Sequence, residues 1–141
     1  MNAADLVGAW RLAVWRTRLG DAVRYPFGER ASGFLIYTAS GEMSVQVAAE
    51  HRPLLATEDP IGGAESERAG AFSTYVAYAG TYDVVGEVVV HRVATSLFPN
   101  WVGRELRRRA TYGGSVLTLG TDPMEIGGEI VVNELVWLRE A

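Results

Sequence analysis

A histidine, a run of three arginines and a set of tyrosines carry most of the chemistry open to this chain. His91 lies in the apolar stretch Glu87–Leu97 and is the side chain there that titrates near neutral pH. It could act as a general acid or base, or donate to a ligand carbonyl. A lone histidine on an apolar strand face can equally be a core residue with its hydrogen bonds satisfied. Arg107-Arg108-Arg109 places charge on both faces of any strand that carries it, because successive side chains alternate. At least one guanidinium must then point inward or sit at a mouth, where it needs an anion. Paired with Glu105 or Glu134 it would be a wall ion pair; unpaired, it could polarise a carbonyl or hold a ligand carboxylate. Tyr37 could add an inward hydroxyl.

What is missing narrows the chemistry further. The 141 residues contain no cysteine, which removes disulfides, thiol nucleophiles, thiolate metal sites and iron–sulfur clusters. All 13 basic residues are arginine, so Schiff-base chemistry and a P-loop are excluded. Two histidines cannot build a histidine-rich zinc site. No serine sits in a G-x-S-x-G elbow and no glycine run has dinucleotide spacing. No cofactor or metal is expected. A net charge of −4 gives no general attraction to nucleic acid or to an anionic membrane. No basic leader and no 18-residue apolar run is visible, so a soluble cytoplasmic chain is expected.

Short strands must position these groups. Length and composition fit one domain over residues 1–141. Glycines punctuate short apolar runs: Gly33–Thr38 and Glu42–Ala48 flank one turn, Gly80–Val85 and Glu87–Leu97 a second, Gly103–Tyr112 and Ser115–Thr121 a third. With Leu6–Thr17 at the start and Glu129–Arg139 at the end, about eight strands arise at the spacing of an antiparallel barrel or sandwich. Glu65, Ala69, Phe72 and Val76 recur at helical spacing and predict one short amphipathic helix within Ala64–Tyr78. The Pro- and Gly-bearing stretch His51–Gly63 reads as a loop across a mouth.

Alternation sorts the wall. In Glu87–Leu97 the face with Val89, His91, Val93 and Thr95 should point inward, since the other carries Arg92. A hairpin through Phe98–Val102 would set Thr95 opposite Glu105, Val93 opposite Arg107 and His91 opposite Arg109. Glu105 and Arg107 would then join His91 inside. A slip by one residue reverses this. Tyr37, Tyr75, Tyr78, Tyr82, Trp15, Trp101 and Trp137 supply aromatic surface suited either to a packed core or to a flat ligand.

Leu6-Val7-Gly8-Ala9-Trp10-Arg11-Leu12, Tyr25-Pro26-Phe27-Gly28, Gly33-Phe34-Leu35-Ile36-Tyr37-Thr38, Gly41-Glu42-Met43-Ser44-Val45, Gly80-Thr81-Tyr82 and Ser96-Leu97-Phe98-Pro99-Asn100-Trp101-Val102-Gly103 together resemble the bacterial and fungal lipocalin-like domain family. The likeness runs from Leu6 to Leu138 and implies an all-β fold: a closed antiparallel eight-stranded barrel with one short helix covering an end, Trp10 plugging the other. Members often neighbour secondary-metabolism genes. Three functions follow as expectations. The favoured one is a cofactor-free cyclase or isomerase acting on a hydrophobic polyketide-like intermediate, with His91, Arg107 and Tyr37 catalytic and Val89, Val93, Thr95, Glu105, Tyr82 and Trp101 lining the site. The second is a non-catalytic carrier of a small hydrophobic molecule. The third is a barrel filled by its own side chains. The expected partner is a small molecule, not nucleic acid or membrane, and homodimerisation stays open.

Overall fold

The computed structural model describes residues 1–140. A four-residue helix, α1 (Ala3–Leu6), leads into the strands β1 (Gly8–Leu19), β2 (Ala22–Arg24), β3 (Ser32–Tyr37) and β4 (Glu42–Ala48). Helix α2 (Glu65–Ser73) follows, then β5 (Tyr75–Val85), β6 (Val88–Ser96), a 3-10 turn (Pro99–Trp101), β7 (Glu105–Tyr112), β8 (Val116–Gly120), β9 (Met124–Ile126) and β10 (Glu129–Arg139). Neighbouring staves are antiparallel, and β1 pairs with β10 from Trp10↔Arg139 to Leu19↔Val131. That seam closes the sheet into a barrel of eight staves: β1, β3, β4, β5, β6, β7, β8 and β10. Strands β2 and β9 only extend its rim. Closure removes the free edges that an open sheet would expose.

Local sequence explains the staves. In β4, Met43, Val45 and Val47 are buried and alternate with Ser44, Gln46 and Ala48. The β3–β4 turn needs a left-handed residue, supplied by Gly41 at φ +101°. Two strands change face partway. In β1 the register shifts between Leu12 and Val14, so Trp10 and Leu12 point inward before the bulge and Trp15 and Thr17 after it. In β6 the shift falls at Ala94, opposite the step from Ala79 to Gly80. A Cβ on Gly80 would stand 1.8 Å from the Arg92 carbonyl oxygen, so only glycine lets the bulged strand approach.

The two ends differ. At one, Trp10 is fully buried and donates through Nε1 to the Leu6 carbonyl at 2.9 Å. The Arg139 guanidinium lies 4.2 Å from its ring centroid and donates to the carbonyls of Val7, Asp5 and Gly114. This is the plug that the sequence led one to expect. At the other end lie α2, the 3-10 turn and the long connection His51–Gly63. The helix is shorter than the predicted span: Tyr75, Val76 and Tyr78 belong to β5. None of its residues is buried, so it is held by polar contacts rather than by an apolar stripe. Glu67 accepts from the amides of Ala56 and Ala64, and Arg52 donates to Thr74 Oγ1 and the Ala71 carbonyl.

Candidate ligand site

His91 points into the barrel from the middle of β6, across from Tyr82 on β5 and Leu106 on β7. It is 1% exposed. Tyr37 Oη lies 2.7 Å from its Nε2 and Tyr78 Oη 2.7 Å from its Nδ1. A neutral imidazole has one donor and one acceptor, so one tyrosine donates to the ring and the other accepts from it. Burial first, and then the positive charge of Arg108, lower the His91 pKa to about 3. The ring is therefore neutral at pH 7 and has no proton to serve as a cationic acid. Burial likewise raises the Tyr37 hydroxyl well above its ordinary value. Tyr78 is raised by burial too, and Arg108 opposes the rise both as a charge and as a hydrogen-bonding group close to the hydroxyl. Beyond this string, Tyr82 packs on Tyr37 at 4.5 Å between ring centroids and donates to the Thr38 carbonyl.

The β6–β7 register and the β6 bulge together correct three expected positions. The chain between the strands contains the 3-10 turn, so the pairing is His91↔Leu106 and Arg92↔Glu105 rather than His91↔Arg109. That slip is odd, and an odd slip inverts the faces of β7. Arg107 is exposed and outward, not inward, and Glu105 pairs with Arg92 on the outer wall at 3.1 Å. The inward residues are Leu106, Arg108, Ala110 and Tyr112. Thr95 lies beyond the Ala94 bulge and is exposed opposite Ala79 instead of lining the interior. Glu134, the other expected partner for an inward arginine, sits outside against Arg16 and Arg18. Val89, Val93 and Tyr82 do face inward and are buried in the core.

An apolar cavity of about 270 Å³ opens at the α2 end of the barrel. Trp15, Phe27, Phe72, Tyr75, Phe98 and Trp101 supply its aromatic walls, and no charged side chain lines it. Trp15 meets Phe27 edge-on at 4.8 Å and Phe98 meets Trp101 edge-on at 5.4 Å. Trp15 Nε1 is fixed by Asn133 Oδ1, which also accepts from Thr17. Trp101 joins this cavity to the buried string, its ring standing 5.5 Å from that of Tyr78. Of the residues read from sequence, Tyr37 and His91 are brought together and Trp101 reaches the mouth. Tyr78 and Arg108 complete the interior and were not singled out. Arg108 stood on the face that the expected register turned outward; Tyr78 was one of seven aromatics with nothing local to rank it. Among the described residues no three potential metal ligands cluster, and no helix is long and apolar enough to cross a membrane.

A closed eight-stranded antiparallel barrel with an aromatic mouth defines the class of protein. Residues 7–140 match the family model described as a lipocalin-like domain, and the chain belongs to that family. It is similar to the 4'-hydroxy-3'-methoxypropiophenone carrier protein ppsC of Aspergillus oryzae (strain ATCC 42149 / RIB 40), 31% identical over 106 residues that cover 69% of this chain and 96% of that one. Among solved structures it is similar to a mutant of the fluorescent protein UnaG, with a TM-score of 0.40, 15% identity and 96% of each chain covered.

Proposed function

We propose that this barrel binds one small, flat, largely apolar molecule in its mouth and acts as a carrier for it. The observation that carries the reading is the cavity lined by six aromatic side chains and no charge. Its volume of about 270 Å³ lies near the lower edge of the ~300–1,000 Å³ usual for ligand pockets, which favours a molecule of one or two rings. The named cargo of the ppsC relative, an aryl ketone, is of that kind. Native mass spectrometry of the purified protein, with quenching of Trp15 and Trp101 fluorescence by 2-acetonaphthone, tests this. Saturable quenching that weakens by about tenfold in Trp101→Ala supports it; no saturable binding by any one- or two-ring ketone overturns it.

A cyclase or isomerase working on a polyketide-like intermediate is the second reading. Arg108 and the Tyr78 hydroxyl on the inner wall favour it, since together they could polarise a carbonyl without any cofactor. His91 contributes no cationic acid to such a step at neutral pH. Turnover of a bound compound to an isomeric product of identical mass, lost in Arg108→Met, would separate this reading from simple carriage.

A further inference from the structure

Arg108 stands apart from the ion-paired arginines of the wall and, facing inward, from the exposed and unpaired Arg107. Arg92 has Asp83 and Glu105, Arg109 has Asp122, Arg11 has Glu140, and Arg16 and Arg18 share Glu134. All of these pairs lie on the outer surface. Arg108 is half-buried on the inner face of β7, opposite the fully buried Val89, with Leu106 and Ala110 packed on the core to either side. Among the described residues no carboxylate lies within 4.0 Å of it; its guanidinium makes a long contact of 3.4 Å to the Arg107 carbonyl and comes close to the Tyr78 hydroxyl. The titratable groups around it are Tyr37, Tyr78 and His91, all neutral at pH 7. An inward guanidinium in apolar surroundings without a counter-ion is costly unless an anion completes it.

The tyrosine–histidine string adds a donor. Its three groups hold three N–H or O–H hydrogens but use only two between themselves. The spare hydrogen belongs to an end hydroxyl. Tyr37 is the closed end, 1% exposed and without another acceptor among the described residues. Tyr78 is the end that meets Trp101 and so the mouth cavity. Protonation of His91 at Nδ1 puts the spare hydrogen on Tyr78, on the same side as Arg108.

We propose that Arg108 and the Tyr78 hydroxyl form an anchor for an anionic oxygen, so that the barrel selects small aromatic carboxylates over neutral molecules of the same shape. The inference rests on the mouth-cavity reading: the ring occupies the aromatic mouth and the acid passes Trp101 to the inner wall. The protein's net charge of −4 does not favour acids in general, so a preference for one must be local.

Calorimetric titration at pH 7 with 2-naphthoate and with methyl 2-naphthoate tests it, the two differing only in charge and one methyl. The wild type binds the acid at least about tenfold tighter than the ester. Arg108→Met lowers acid affinity by about tenfold or more and changes ester affinity by less than about threefold, while Arg108→Lys keeps part of the preference. Tyr78→Phe weakens the acid several-fold, with the ester little changed. Thermal melts check that each variant folds, and the wild-type comparison decides alone should Arg108→Met not fold. Equal wild-type affinity for acid and ester, or an equal loss of both in Arg108→Met, overturns the anchor and leaves the mouth-cavity reading intact. Failure of both compounds to bind removes that reading and the anchor with it.

Discussion

A histidine that is 1% exposed and bonded at both ring nitrogens titrates against its surroundings. The unfolded chain takes up a proton on His91 near pH 6.5, and the folded one only near pH 3. Its contribution is therefore complete above pH 6.5 and is lost as pH falls toward 3. Urea unfolding at pH 6.5 and pH 4 should show wild type losing on the order of 3 kcal/mol more than His91→Gln over that interval. Equal slopes would mean that the imidazole is not held neutral. Tyr37→Phe leaves Nε2 without its partner and should cost about 1–3 kcal/mol, measured the same way at pH 7. The arginine triplet gives a sharper contrast. Arg107 is exposed and has no ion-pair partner among the described residues, so Arg107→Ala should leave ligand affinity unchanged and stability within about 0.5 kcal/mol. Its neighbour Arg108 should behave oppositely in binding.

At the scale of elements, bulges decide which side chains enter the barrel. The Ala94 bulge turns Thr95 out and ends the inward series Val89, His91, Val93. Gly80 makes that bulge possible, and the added methyl of Gly80→Ala would meet the Arg92 carbonyl oxygen at 1.8 Å and the Ala94 nitrogen at 2.9 Å. Both are backbone atoms that cannot swing aside, so the variant should lose roughly 1–3 kcal/mol or more. Calorimetric melting checks this; an unchanged Tm would show that the bulge can migrate. Helix α2 has the opposite character. With no buried residue, it depends on Glu67 and Arg52 for its position above the mouth. Glu67→Gln and Arg52→Met should thus change ligand on- and off-rates more than the Tm of the barrel.

For the whole molecule, one end is sealed and the other is furnished to receive a ligand. Arg139 holds the seal: it spans the carbonyls of Val7, Asp5 and Gly114 and lies over Trp10, tying the last stave to the first. Arg139→Met leaves those carbonyls without their donor and should destabilise the barrel by about 1–3 kcal/mol, read by urea unfolding, while leaving binding at the distant mouth unaltered. Loss of ligand affinity in that variant at temperatures where it remains folded would show instead that the two ends are coupled.

Much of this was legible along the chain. Glycine-punctuated runs of β-branched and aromatic residues give the eight staves, because turn chemistry and alternation act over a few neighbouring residues. The Trp10 plug was expected only through the family resemblance that Gly8-Ala9-Trp10 helps to carry, and the structure places the ring there, fully buried. His91 was legible as an inward residue because Arg92 marks the other face of its strand, whereas Tyr37 stayed only a possibility, since Phe34 and Ile36 make both faces of β3 apolar. What the chain did not disclose is the phase of one strand against the next. The choice of Arg108 over Arg107 turns on a slip of three residues across an eight-residue connection, and the placing of Thr95 on a single extra residue in β6. Those are non-local quantities, fixed when closure of β1 on β10 sets every register around the barrel at once, and a period-two pattern with charge on both faces has no means of choosing between them.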